Sequence, residues 1–221
     1  MSAPAESAAK LGDGPAGIPQ PVLVRGTGLL GASIGIGLSA AGVDVRLHDP
    51  SPAALAVAAD IRAGRPARLD AEGDDLDVAP GLVVVAAPPD VTADVVVDSL
   101  RRWPAAVVVD IASVKEAVAA GVRAAVDDGR LAPQDADRYL GTHPMAGSER
   151  SGPVAARGTL FTQAPWVLCP TDTTHPGALA AGRALALTLQ ATPYRMAARA
   201  HDESVALISH LPQIAASLVA S

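Results

Sequence analysis

The sequence predicts a doubly wound α/β fold, a mostly parallel sheet covered by helices on both faces, followed by the opening helix of something else. Three observations predict it. Short Val-rich runs alternate with helix-compatible stretches from Pro21 to Met196, as buried parallel strands with crossover helices require. A glycine-rich turn, Gly26-Thr27-Gly28-Leu29-Leu30-Gly31, joins the first of these runs to the first helical stretch. From Ala198 the alternation gives way to one helical stretch reaching Ser221.

The elements follow in order. Residues 1–20 hold Gly, Pro, Ala and Ser with few large apolar side chains. They are expected to form a disordered leader, because little burial is available to offset the entropy of ordering. Val22-Leu23-Val24 is the first strand, and Leu29 to Ala41 the first helix, stopped by Gly42. Val43 to Asp49 alternates as a strand does and ends at Pro50; Ala53 to Ala63 is an Ala-rich helix. Gly81 to Ala87 is a buried strand closed by Pro88-Pro89.

Val91 to Arg102 suits a helix, Ala106 to Ile111 a strand, and Val114 to Asp128 a further helix. Tyr139–His143, Trp166–Cys169 and Thr192–Met196 read as strands, with a helix over Ala178–Leu189 between the last two. The expected units are therefore a leader over 1–20, a nucleotide-binding unit over 21–197, and the start of a helical unit over 198–221.

Composition narrows the function. The chain has 221 residues and a net charge of -6, with 17 Lys and Arg against 23 Asp and Glu. A nucleic-acid partner is not expected, since phosphate binding needs clustered positive charge. Forty-seven residues are Ala and only five are Phe, Trp or Tyr, so Ala, Val, Leu and Ile must build the core. Cys169 is the single cysteine, which excludes a disulfide framework and any multi-cysteine metal site. No apolar run approaches the ~18 residues of a membrane span. Met1–Gln20 lacks the basic start and apolar stretch of a secretory signal, so a cytoplasmic protein without metal or membrane partner is expected.

The glycine-rich turn carries the first chemistry. Gly26 permits a tight turn, Gly28 lets backbone approach a pyrophosphate, and Gly31 allows close helix–strand packing. Leu29 and Leu30 open the helix whose free N–H groups and dipole favour the phosphates. Asp49, eighteen positions after Gly31, ends the second strand and is placed to accept hydrogen bonds from the adenosine ribose. A carboxylate there would repel a 2′-phosphate, so NAD is expected over NADP, although Arg46 lies only three residues earlier. Ala87 and Pro88, at the end of the third strand, border the expected nicotinamide ribose or simply terminate the strand.

Two further strand ends carry reactive groups. Asp110-Ile111-Ala112-Ser113-Val114-Lys115 puts Ser113 beyond a carboxyl end of the sheet, where ligands bind in such folds. Ser is also a favoured helix N-cap, and the two roles are compatible. Lys115 is the only Lys after residue 20, which sets it apart, and it also reads as an ordinary exposed first-turn residue. In Gly141-Thr142-His143-Pro144-Met145-Ala146-Gly147-Ser148-Glu149, the following proline holds His143 extended at a strand end. There it can act as general base.

Taken together, Gly26–Gly31, Asp110–Lys115, the 141–149 string and His201-Asp202…Ser209-His210-Leu211-Pro212 resemble prephenate dehydrogenase and its arogenate-specific relatives. The resemblance spans about residues 21–221. It implies a Rossmann domain followed by an all-helical dimerisation domain, and NAD-dependent oxidative decarboxylation in tyrosine biosynthesis by a homodimer. Carried over by motif, His143 would bond the ring hydroxyl and draw off its proton, and Ser113 would fix that geometry. His201, His210 and the residue after Pro212 would meet the substrate, while His201 reads equally as a surface or core-packing residue. The family's SHLPH string has its second His replaced by Gln213, which can bond a carboxylate but cannot become a cation. The helical domain is expected to stop short, at its opening helix, with Pro212 kinking it near Ile208. Two other readings are a different hydroxy-acid dehydrogenase and an NAD-binding protein with little turnover. The first needs a lysine on the interdomain helix, and none follows Lys115.

Overall fold

The computed structural model describes residues 9–10, 17–70, 73–147 and 152–207. Its seven principal strands are β1 (Val22–Arg25), β2 (Val45–His48), β3 (Leu82–Val85), β4 (Val107–Asp110), β5 (Tyr139–Pro144), β6 (Pro165–Cys169) and β7 (Thr192–Arg195). The helices are α1 (Leu29–Ala40), α2 (Pro52–Asp60), α3 (Pro89–Arg102), α4 (Glu116–Asp127), the one-turn α5 (Pro133–Ala136) and α6 (Pro176–Thr188), with α7 over residues 198–207.

β1 lies between β2 and β3, parallel to both, and β4 and β5 continue the parallel set outward from β3. β6 runs antiparallel to β5 in the register Val167↔His143 and parallel to β7. The sheet is thus doubly wound and mostly parallel, as expected, with β6 and β7 running opposite to the other five strands.

The strands are apolar on both faces because both are covered. Val22, Val24, Leu82 and Val84 point to one side, where Ile34 and Leu38 of α1 and Leu185 of α6 meet them. Leu23, Val83 and Val85 point to the other, against Val96 and Leu100 of α3 and Val118 and Val122 of α4. The Ala- and Gly-rich composition is what lets helices lie this close. A Cβ at Gly182 of α6 would come 2.4 Å from Leu140 Cδ2.

Several boundaries move for local reasons. α3 and α6 start earlier than expected because Pro89 and Pro176 occupy their first turn, where a missing N–H costs nothing. Ser51 caps α2 by accepting from the Ala54 N–H at 3.3 Å. Between α2 and β3 the structure has a short edge strand, Arg65–Pro66, and a hairpin pairing Leu69–Asp70 with Gly73–Asp74. These were not expected: two-residue polar strands leave no periodicity to read. Ala9–Lys10 pairs antiparallel with Tyr194 and Arg195 of β7. Backbone pairing at an open sheet edge needs no apolar side chains, so composition could not signal it.

Candidate active site

Parallel strands share a direction, so β1, β2, β3, β4 and β5 deliver their following loops to one edge of the sheet. A cavity of about 920 Å³ opens there. It is lined by all eight residues expected at the cofactor, Gly26, Gly28, Leu29, Leu30, Gly31, Asp49, Ala87 and Pro88, together with Ser113 and His143.

The turn fits a dinucleotide. Gly26 has φ +106°, and a Cβ there would sit 2.4 Å from the Ala86 carbonyl oxygen. A Cβ on Gly31 would come 2.0 Å from Gly26 O, so the helix start and the turn touch through backbone alone. Gly28 differs: no protein atom lies within 4 Å of its Cβ position. It is the N-cap residue of α1 and no side chain caps the helix, leaving first-turn N–H groups available to an anion.

Asp49 is held at the turn. Its Oδ2 accepts from the Thr27 N–H at 2.6 Å and Thr27 Oγ1 at 2.9 Å, and its Oδ1 accepts from the Ser51 N–H at 2.8 Å. Arg46 turns elsewhere: buried at 8% exposure, it pairs with Asp44 at 3.2 Å and Asp77 at 3.6 Å.

Lys115 is not an exposed first-turn residue. Its side chain and that of Asp110 are both fully buried and form an ion pair. Lys115 Nζ also donates to the Thr142 carbonyl at 2.6 Å. Asp110 further accepts from the Ala112 N–H at 2.9 Å and from Tyr139 Oη at 2.7 Å. Burial, then the Asp110 charge, raises the Tyr139 pKa well above the ordinary range, so the phenol remains a donor. These bonds tie the end of β4 to the end of β5, the two segments that present Ser113 and His143.

Ser113 is exposed to the cavity and does not cap α4, whose N-cap position is Lys115 with no side-chain cap of its own. The cap comes from α7. Asp202 accepts from the Lys115 N–H through Oδ1 and the Glu116 N–H through Oδ2, both at 2.9 Å. The same Oδ1 lies 2.7 Å from His201 Nδ1, and His201 Nε2 lies 2.9 Å from His143 Nδ1. Burial pushes the Asp202 pKa up, but the bonds from Glu116, Lys115 and His201 outweigh it and hold the carboxyl below its usual range. His143 is driven down to about 4, by burial first and then by His201 and Lys115. It is therefore neutral at pH 7, with a lone pair to offer.

His201 thus lies behind His143, at 1% exposure, and is not among the residues lining the cavity where a substrate contact was expected. Its surroundings explain the move: a buried imidazole needs partners for both nitrogens, and Asp202 and His143 supply them. His210 and Gln213 lie outside the described residues. Sequence reading passed over Asp110, Tyr139 and Asp202 as members of the site. The lone Lys after residue 20 was the signal that could have found the buried pair. Among the described residues no group of His, Cys, Asp or Glu is placed to hold a metal, and no helix is long and apolar enough to cross a membrane.

Residues 36–192 match the family described as prephenate dehydrogenase, nucleotide-binding domain. The chain is 38% identical over 199 residues to the probable prephenate dehydrogenase NovF of Streptomyces niveus, covering 90% of this chain and 51% of that protein. An 83-residue stretch, 37% of the chain, is 40% identical to the prephenate dehydrogenase of Bacillus subtilis (strain 168), covering 22% of it. The chain spans about half the length of the first of these relatives. Among solved structures, Synechocystis arogenate dehydrogenase matches with a TM-score of 0.75 at 29% identity, over 90% of this chain and 67% of that one. Prephenate dehydrogenase from A. aeolicus, in complex with hydroxyphenyl propionate and NAD+, shares the fold with a TM-score of 0.76 at 24% identity, with the same two coverages. The chain belongs to the prephenate dehydrogenase family, and its residues 36–192 fall in that family's nucleotide-binding domain.

Proposed function

We propose that the protein is a cytoplasmic NAD-dependent dehydrogenase that oxidatively decarboxylates prephenate to 4-hydroxyphenylpyruvate, a step of tyrosine biosynthesis. One observation carries the reading: a neutral imidazole, His143, and a free hydroxyl, Ser113, share a cavity with the glycine turn and Asp49. NAD, when bound, supplies the hydride acceptor, and its pyrophosphate suits the uncapped start of α1. Asp49 would take the adenosine ribose hydroxyls, and the engagement of Arg46 with Asp44 and Asp77 removes it as a partner for a 2′-phosphate.

His143 accepts a hydrogen bond from the hydroxyl of the ring carbon that loses hydride. Its proton moves toward the imidazole as the hydride departs. The ring carboxylate leaves as carbon dioxide, and the electrons of its C–C bond complete the aromatic ring. The proton then returns to the phenolic oxygen, so His143 ends as it began and no net proton is released. Ser113 holds the same oxygen in place.

The arogenate reaction uses the same ring chemistry, and the 29% identity to an arogenate dehydrogenase makes it the second reading. The test is NADH formation with prephenate and with arogenate, each alone. Turnover of prephenate supports the proposal, and turnover of arogenate alone moves the assignment to the second reading. Tight NAD binding with no reduction by either overturns both in favour of a nucleotide-binding protein.

A further inference from the structure

We infer that Asp202 and His201 are positioning residues that hold His143 in the one tautomer whose Nε2 bears the free electron pair. The inference deepens the dehydrogenase reading and rests on it for its catalytic meaning.

The argument runs along three side chains. The Asp202 carboxylate is oriented by two backbone donors, the N–H groups of Lys115 and Glu116, each at 2.9 Å. Those amides open α4, where the helix dipole favours a negative charge, so the carboxylate is held ionised and able only to accept. The hydrogen between Asp202 Oδ1 and His201 Nδ1, 2.7 Å apart, therefore belongs to His201. With its proton on Nδ1 and none on Nε2, His201 presents a lone pair at Nε2. That lone pair lies 2.9 Å from His143 Nδ1, which must in turn be the donor. His143 is then left with a bare Nε2, the form that can take a proton from a hydroxyl in the cavity.

The rings meet edge to face, with centroids 5.1 Å apart and planes at 77°, so the in-plane N–H of one can point at the in-plane lone pair of the other. The remaining charged group nearby, the Lys115 ammonium, is occupied by Asp110 and the Thr142 carbonyl. As His143 takes up positive character during the reaction, the aligned His201 and the Asp202 charge stabilise it. The base is thus prepared by α7, which follows β7 and lies beyond the cofactor-binding elements. Were His201 instead a cation, it would donate from both nitrogens, and His143 would carry its proton on Nε2, where it could not serve as base.

The test reads the tautomer directly. Long-range ¹H–¹⁵N correlation spectra of the labelled protein at neutral pH should show His143 with Nδ1 protonated and Nε2 bare. In His201→Phe the capping bonds of Asp202 remain but His143 loses its acceptor, and the His143 proton should move to Nε2. Asp202→Asn should unpin the pair and mix the tautomers. In both variants kcat should fall by about 10²–10⁴-fold with NAD affinity unchanged. A wild-type His143 protonated on Nε2, or variants that keep the wild-type tautomer, would overturn the inference. The spectra need no substrate. Absence of turnover in the wild-type protein would overturn the dehydrogenase reading and leave the tautomer assignment standing.

Discussion

The ammonium of Lys115 donates to the carbonyl of Thr142 at 2.6 Å, so a residue at the start of α4 fixes the backbone immediately before His143. Removing it leaves Asp110 buried without its cation. Lys115→Met should lower the unfolding free energy by about 3–5 kcal/mol in urea titration. Adding Asp110→Asn should recover part of that loss, because the uncompensated charge is gone. An unchanged denaturation midpoint in Lys115→Met would refute the role given to the pair.

Gly28 and Gly31 should separate binding from folding. Gly31→Ala forces a methyl into the Gly26 carbonyl and should lower both Tm and nucleotide affinity. Gly28→Ala meets no protein atom within 4 Å. It should leave Tm unchanged while weakening NAD binding in a calorimetric titration, because the methyl occupies the space a pyrophosphate needs.

Asp49 both braces the turn through Thr27 and supplies the negative charge beside the expected ribose. Asp49→Asn should narrow the preference for NAD over NADP by roughly tenfold, about 1.4 kcal/mol. Fluorescence titrations with NADH and NADPH would measure it. An unaltered ratio would mean that Asp49 does not select the nucleotide.

His143 should give the protein an acid-sensitive stability. Its folded pKa is about 4, against an ordinary 6.5. Between these values the unfolded chain binds the proton and the folded chain does not, so stability is lost as pH falls from about 6.5 to about 4 and is flat above. The loss should amount to roughly 1–3 kcal/mol. His143→Asn should flatten that slope in denaturant titrations across the window. The same variant should cost about 10²–10⁴-fold in kcat while sparing NAD affinity.

Much of this was legible in the chain itself. The Val-rich runs at β1, β3 and β4, the spacing of Gly26, Gly28 and Gly31, and the carboxylate at Asp49 are local patterns. A parallel sheet brings such strand ends to one edge whatever the details of packing. Ser113 and His143 follow from the same rule, since each ends a strand of that set. Local pattern could not say which atoms the buried polar groups would choose. Lys115 looked like a first-turn surface residue, and its burial depends on Asp110, Tyr139 and Thr142 arriving from two strands. His201 lies buried against His143 because α7 folds back on α4 and Asp202 finds that helix's uncapped amides 86 and 87 residues away. The sequence by itself determined the sheet, the nucleotide turn and the strand end that carries His143. Only the tertiary structure decided which partner meets the His143 ring, because a hydrogen bond between distant residues has no signature in spacing.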